Sequence, residues 1–293
     1  MRPAFLPAIA AAAALLASPV VRAAGLAEAA TDVEALIAAS GARAAVALRT
    51  LDGNAELELN AGESFHAAST MKVAVLIELY RQAHAGTIRL SDPLTVHNGF
   101  ASLIDGSTYT LDPADDSETD LYRAIGERRT FAQLSELMIT VSSNLATNLL
   151  IDALGVDNIR AGVRALGASG MDVRRPLEDG KAFRAGLNNT TTAHALLVLM
   201  EAIATGRAVD ADASRQMVDV LARQAFNEDI PAGLPPGLRI AHKTGEITQV
   251  EHDAAIVYAR RPFVLVVLTQ GIDTAASSAL IAAIARRLYA AVE

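Results

Sequence analysis

Ser69-Thr70-Met71-Lys72 opens an amphipathic run that continues to residue 85 and is closed by Gly86. Three-residue spacing on a helix puts the hydroxyl and the ammonium on one face, within reach of each other. The positive end of the helix dipole and a partly desolvated pocket disfavour the charged amine and favour an oxyanion, an arrangement that activates a serine without histidine. Four-residue patterns with two fixed positions recur by chance. The bland alternative, a serine N-cap followed by a surface lysine, therefore stands unless other segments agree.

Lysine is scarce in this chain, three residues against 22 arginines. The two types serve equally on a solvated surface, but only lysine loses its proton readily enough to act as a base. Besides Lys72, a second lysine sits in a recognisable setting, His242-Lys243-Thr244-Gly245, at the end of an expected strand. There Lys243 would point a positive charge into a cleft, Thr244 would offer a hydroxyl to a substrate carboxylate, and Gly245 would let substrate lie close against the strand edge. Between the two motifs falls Ser142-Ser143-Asn144, on a connection between two expected helices. Ser142 is suited to relaying a proton to a leaving nitrogen, and the Asn144 amide to orienting a substrate amide.

Composition removes several function classes. The chain has 293 residues, 52% of them apolar, with 33 acidic and 25 basic side chains, a formal charge of -8, and neither cysteine nor tryptophan. Without cysteine there is no disulfide framework, thiolate nucleophile, zinc knuckle or iron–sulfur ligation. The acidic balance argues against a nucleic-acid partner, and the arginine doublets are scattered as on a solvated surface. No His-Glu-x-x-His or other clustered ligand set exists, so metal catalysis is set aside. Residues 1–23 carry Arg2, an apolar stretch over 8–17 and small side chains at Val21 and Ala23, the pattern of a secretory leader. The apolar run is too short for a spanning helix. Cleavage after Ala23 or Ala24 is expected. Loss of Arg2 and Arg22 leaves 23 basic against 33 acidic side chains, a formal charge of -10 on an exported domain with no membrane span.

Elements then fall into a pattern. Helices are expected over 26–39, 69–85, 131–140, 143–154, 156–166, 191–205, 214–224 and 275–292, and strands over 44–51, 55–59, 238–243, 254–258 and 263–269. Two long irregular stretches, 98–120 and 171–189, are of a length more often functional than idle. Strands thus lie only at the two ends of the exported chain. The expected architecture is α/β plus all-α: one antiparallel sheet flanked by the terminal helices, made from 24–68 and 212–293, with a helical lobe of 69–211 inserted and a cleft between the lobes.

The three motifs, in this order and in these settings, make the chain resemble the penicillin-recognising serine enzymes, that is, class A β-lactamases and penicillin-binding proteins. The motifs anchor residues 69 to 245, and the split architecture carries the resemblance over the whole exported chain. Asn189-Thr190-Thr191-Thr192 adds a fourth point, since it is similar to the Asp-Thr-Thr-Thr that closes the Ω-loop in class A enzymes. The resemblance implies that Ser69 attacks an amide carbonyl, that Lys72 takes or relays its proton, and that Ser142 and Lys243 assist protonation of the leaving nitrogen. It implies an oxyanion hole from the backbone N–H groups of Ser69 and Glu246, with Asn144 and Thr244 holding the substrate. The implied substrate is a small-molecule β-lactam or a peptidoglycan peptide. No metal or organic cofactor is implied, and a monomer is expected.

The chain also departs from the class A pattern. Those enzymes carry Glu-x-x-Leu-Asn on the Ω-loop, and its glutamate activates the deacylating water. Here Leu187-Asn188 abuts Asn189, and no glutamate stands three residues before the leucine. Glu178 is the nearest candidate and Asp179 its understudy; the bland alternative makes both a solvated turn. Ser143 stands where class A enzymes usually carry Asp. The segment between Lys72 and Ser142 is longer than usual, with the excess assigned to the acidic stretch 112–120. Glu246 replaces a small residue and should repel an anionic substrate unless its side chain turns away. His66 and His252 could border the cleft, His252 where some relatives keep a carboxylate-binding cation, but a packed or exposed histidine is the more ordinary reading of either. Three readings result: a class A-like β-lactamase, a slowly deacylating penicillin-binding-protein-like or peptidoglycan-peptide hydrolase, and a non-catalytic periplasmic binding module that keeps the fold.

Overall fold

The computed structural model describes residues 19–293, with side chains described from Gly25 onward, so most of the leader expected over 1–23 lies outside the described residues. Five strands form one antiparallel sheet: β1 (Arg43–Thr50), β2 (Glu56–Leu59), β3 (Arg239–Ile247), β4 (Val250–Tyr258) and β5 (Phe263–Gln270). Their spatial order is β2-β1-β5-β4-β3, so the N-terminal hairpin joins the C-terminal meander through β1 and β5. β3 is thereby an edge strand, open on one side.

The near-continuous apolar runs of β1 and β5 follow from burial on both faces. Ala45, Ala47, Val264, Val266 and Leu268 face one core, and Val46, Leu48, Phe263, Leu265 and Val267 face the other. The second core is covered by α1 (Pro19–Ser40) and α8 (Thr274–Val292). α8 is long and apolar enough to cross a membrane, but its Leu280, Ile281, Ile284 and Leu288 are buried in this core.

The first core is shared with the inserted helices: α2 (Lys72–His84), α3 (Phe131–Thr140), α4 (Asn144–Leu154), α5 (Val156–Ala165), α6 (Ala193–Ala204) and α7 (Ala211–Leu221). α6 lies directly on the sheet, against β1, β4 and β5. Local capping fixes where several of these helices begin. Thr130 and Gln133 form a reciprocal capping box at α3, and Thr192 and Asp210 accept the third backbone N–H of α6 and α7.

The expected antiparallel sheet flanked by terminal helices is therefore present. Two details differ. Strands also occur in the middle of the chain, as two- and three-residue ribbons pairing Phe65–His66 with Thr190–Thr191, Pro93–Thr95 with Arg128–Thr130, and Phe100–Ala101 with Thr108–Tyr109. Such short pairs carry too little periodicity to be read from sequence. The β3–β4 hairpin is also longer than expected, because pairing runs through Lys243-Thr244-Gly245 to Ile247 and restarts at Val250. Its polar residues Glu251, His252 and Asp253 are all buried, against the usual exposure of charged strand ends.

Candidate active site

Ser69 lies on a single 3-10 turn, Ala68–Met71, which feeds α2 at Lys72. The turn enters through Ala68 at φ 44°, a left-handed conformation that an alanine adopts only under constraint. His66 supplies part of that constraint by accepting the Ala68 N–H at its Nδ1 (3.0 Å). Edge strand β3 then closes on the turn. A Cβ on Gly245 would stand 2.9 Å from the backbone N of Thr70 and 3.0 Å from that of Ser69, so only glycine admits this approach.

Lys72 is fully buried, and its Nζ lies 3.0 Å from Ser69 Oγ, 2.6 Å from Ser142 O, 3.1 Å from Ser142 Oγ and 2.9 Å from Asn144 Oδ1. Burial, reinforced by the nearby positive charge of Lys243, holds the amine well below the ordinary lysine range. Two of the four partners, the Ser142 carbonyl and the Asn144 amide oxygen, can only accept. A neutral amine would give them its two N–H bonds and keep its lone pair for a serine hydroxyl. The bland reading of residue 72 as a surface lysine is thus overturned.

Ser142 joins the two lysines. Its Oγ lies 3.1 Å from Lys72 Nζ and, at 3.0 Å, accepts from Lys243 Nζ, which also donates to Thr244 O. Lys243 is fully buried on β3, and burial pushes it down to about 7. Ser142 itself sits at φ 58° between α3 and α4, a second strained residue at the site. Its neighbour Ser143 caps α4 by accepting Ala146 N (3.2 Å).

The carboxylate absent at position 143 comes from elsewhere in the chain. Buried Asp116 accepts the N–H of Asn144 (2.9 and 3.0 Å) and of Leu145 (2.9 Å), and the Tyr122 hydroxyl (2.9 Å). It thus neutralises the positive end of α4 and fixes the Ser142–Asn144 turn. The acidic stretch 112–120, read from sequence as excess length, is where this support resides. Asp116→Ala leaves two buried backbone donors unpaired, and thermal melting should show Tm lowered by about 5–10 °C, for a cost of about 3 kcal/mol. An unchanged melt would mean that the carboxylate does not hold the turn.

Glu178 reaches the site from the 171–189 loop. That loop is closed on itself: Asp172 and Thr190 exchange backbone bonds, and the buried Asn189 side chain accepts from the N–H of Arg174 and Arg175. Asn148 on α4 clamps both the N–H and the C=O of Leu177 (2.7 and 2.9 Å). This clamp presents Glu178, at φ 61°, to Asn144, whose Nδ2 donates to Glu178 Oε1 (3.1 Å). Glu178 is half-buried, and burial raises its carboxyl above the usual range. Asp179 is committed differently. It caps the helical turn Gly180–Arg184 through Ala182 N and also accepts from Ser102 Oγ and Leu103 N, so its oxygens are bound up in the loop's own architecture. Neither residue is a solvated turn.

Thr244 and Glu246 border the same cleft of about 460 Å³ as Ser69, Ser142 and Asn144. The Glu246 carboxylate, held by Thr274 Oγ1 (3.1 Å), remains at the cleft and does not turn away. The two histidines part: His66 borders the cleft on its Glu178 side, and His252 is packed in the core. His252 pairs across from Gly245, packs edge-on to Phe65 (5.9 Å) and bonds His66 O through Nε2 (2.9 Å). Burial pushes it down to about 4, so it is neutral and away from the cleft. The neighbour that does line the cleft is Glu251, together with Asp229. Both were missed, as were Asp116 and Asn148, because an isolated acid or amide distant in sequence from its partners gives no local signal.

A family model described as the beta-lactamase enzyme family matches residues 28–292. Carbapenem-hydrolyzing beta-lactamase KPC of Klebsiella oxytoca is 31% identical over 54% of this chain and 57% of its own length. Among solved structures, a beta-lactamase from Sphaerobacter thermophilus superposes with a TM-score of 0.77 at 26% identity, covering 92% of this chain and 97% of that one. PBP-A superposes with a TM-score of 0.79 at 28% identity, covering 91% and 96%. A variant of PBP-A is an acyl-enzyme complex with penicillin G.

Proposed function

The chain belongs to the beta-lactamase enzyme family, and from that premise we propose that it is a serine hydrolase that opens the β-lactam ring through a Ser69 acyl-enzyme. The observation that carries the reading is the buried Lys72 amine 3.0 Å from Ser69 Oγ, with its other bonds directed to acceptors. Neutral Lys72 takes the Ser69 proton as Oγ attacks the lactam carbonyl. The tetrahedral oxyanion meets the backbone N–H groups of Ser69 and Glu246, which β3 brings together by its close approach at Gly245. Ser142 Oγ passes a proton to the departing nitrogen and is resupplied through the two lysines that it bridges. Asn144 orients the substrate amide, while Lys243 and Thr244 bind its far side. The leader over residues 1–23 supports export of the mature chain.

Release of the acyl group falls to Glu178, which activates a water from its place beside Asn144. The missing Glu-x-x-Leu-Asn favours a second reading in which this step is slow, because Glu178 reaches Asn144 from a different place on the loop. Intact-mass spectrometry of the purified mature chain with a penicillin separates the two. A transient adduct with sustained turnover supports the lactamase; one that persists for hours supports the slow hydrolase; no adduct and no turnover would sink both. Glu178→Gln should slow release by about 10²-fold or more and lengthen the adduct lifetime accordingly. An unchanged lifetime would remove Glu178 from the mechanism.

A further inference from the structure

Beyond Thr244 the active-site cleft ends against acid. Asp229 is 3% and Glu251 4% exposed, and Asp229 Oδ1 and Glu251 Oε2 have no hydrogen-bond partner. Both residues line the side of the Ser69 cleft bounded by Thr244, Thr274 and Ser278, with Glu228 and Glu246 nearby, and among the described residues lining that side there is no arginine, lysine or histidine. In a chain with 22 arginines, this end of the cleft has been left without one.

An isolated buried carboxylate is costly, and two facing each other cost more. Asp253 is already satisfied, by His242 Nδ1 (3.0 Å) and Ile230 N (3.1 Å), and contributes its charge to the same region. Burial comes first in raising both free carboxyls, followed by the charge of Asp253 on Asp229 and of Asp229 on Glu251. Apart from the Ser278 hydroxyl beside Asp229 and the charge of Lys243, which acts on Glu251 without bonding it, no described residue serves this pair. Two such groups rest either with a proton shared between them or with a cation from outside. β3 and β4 set the placement: Glu251 lies directly across from Glu246, on the opposite face from His252 and Gly245.

We propose that Asp229 and Glu251 form a subsite for a cationic group, an ammonium, carried on the leaving-group side of the substrate. The inference rests on Ser69 acylation as described above and adds to it the charge of the preferred substrate. Lys243 and Thr244 still meet a carboxylate, so β-lactams acylate Ser69, more slowly than a cationic substrate does.

Two N-benzoylglycyl thioesters test this, one of thioglycolate and one of 2-(dimethylamino)ethanethiol, which differ in a carboxylate against an ammonium on the leaving group. In each, Ser69 Oγ forms the new C–O bond, the C–S bond breaks, the serine proton leaves on the thiol, and water releases N-benzoylglycine. The wild-type chain should favour the ammonium thioester in kcat/KM by about ten- to a hundredfold. The double variant Asp229→Asn, Glu251→Gln should lose that preference while still forming a Ser69 adduct. Equal rates, or a preference for the carboxylate in the wild type, overturn the subsite with no need of the variant and leave the acyl-enzyme standing. A preference retained in the double variant overturns it too. Absence of any Ser69 adduct with both thioesters and with penicillin takes down the acyl-enzyme and this inference together.

Discussion

Ser69→Ala should remove every covalent adduct and lower β-lactam turnover by about 10⁶-fold, the scale of loss when a serine nucleophile is deleted from a site whose other parts remain. The fold should survive, because Ser69 Oγ makes a single described bond, with Lys72, and the turn beneath it is held by Thr70, whose N–H and hydroxyl both bond Ala67 O. Mass spectrometry and a hydrolysis assay check the two halves separately. An adduct that forms on the alanine variant would put the nucleophile elsewhere.

Lys72→Met should cost about 10²–10⁴-fold in the acylation rate while leaving Ser69 in place. Methionine matches the length of the stem but offers neither base nor donor. The wild-type enzyme should acylate at a rate that rises with pH through the depressed pKa of Lys72 and levels off well below the ordinary lysine range, because the neutral amine is the active form. The variant should lose that limb of the profile. Stopped-flow acylation across pH reads both effects, and a pH profile unaltered by the substitution would assign the base to another group.

The motif residues were legible because each reports through local geometry. Ser69 and Lys72 share a helix face by their spacing, and Lys243, Thr244 and Gly245 lie on a strand whose pairing carries them to Ser69. What escaped was decided by long-range pairing. The Thr248-Gln249 turn sets the β3–β4 register, and in a strand one step along the chain exchanges faces. That single step puts Glu251 in the cleft and His252 in the core. Asp116 supports the Ser142–Asn144 turn from 28 residues away. The carboxylate proposed to activate water was only half legible: Glu178 could be named, but its placement depends on the Asn148 clamp on Leu177, which no motif announces.

Strain marks the same places. Ala68, Ser142 and Glu178 are non-glycine residues at positive φ, and each abuts or carries a proposed catalytic group. His66, the bridging lysines and the Asn148 clamp hold them there. Local propensity at these positions disagrees with the structure because tertiary contacts impose the conformation.

The most direct test of the account is a time-resolved intact-mass experiment on the mature chain with a penicillin, followed by peptide mapping of the adduct. The account predicts a mass increase equal to the intact antibiotic, located on Ser69, that decays as hydrolysed product accumulates. An unmodified chain with no product, or an adduct mapped to any other residue, would contradict it.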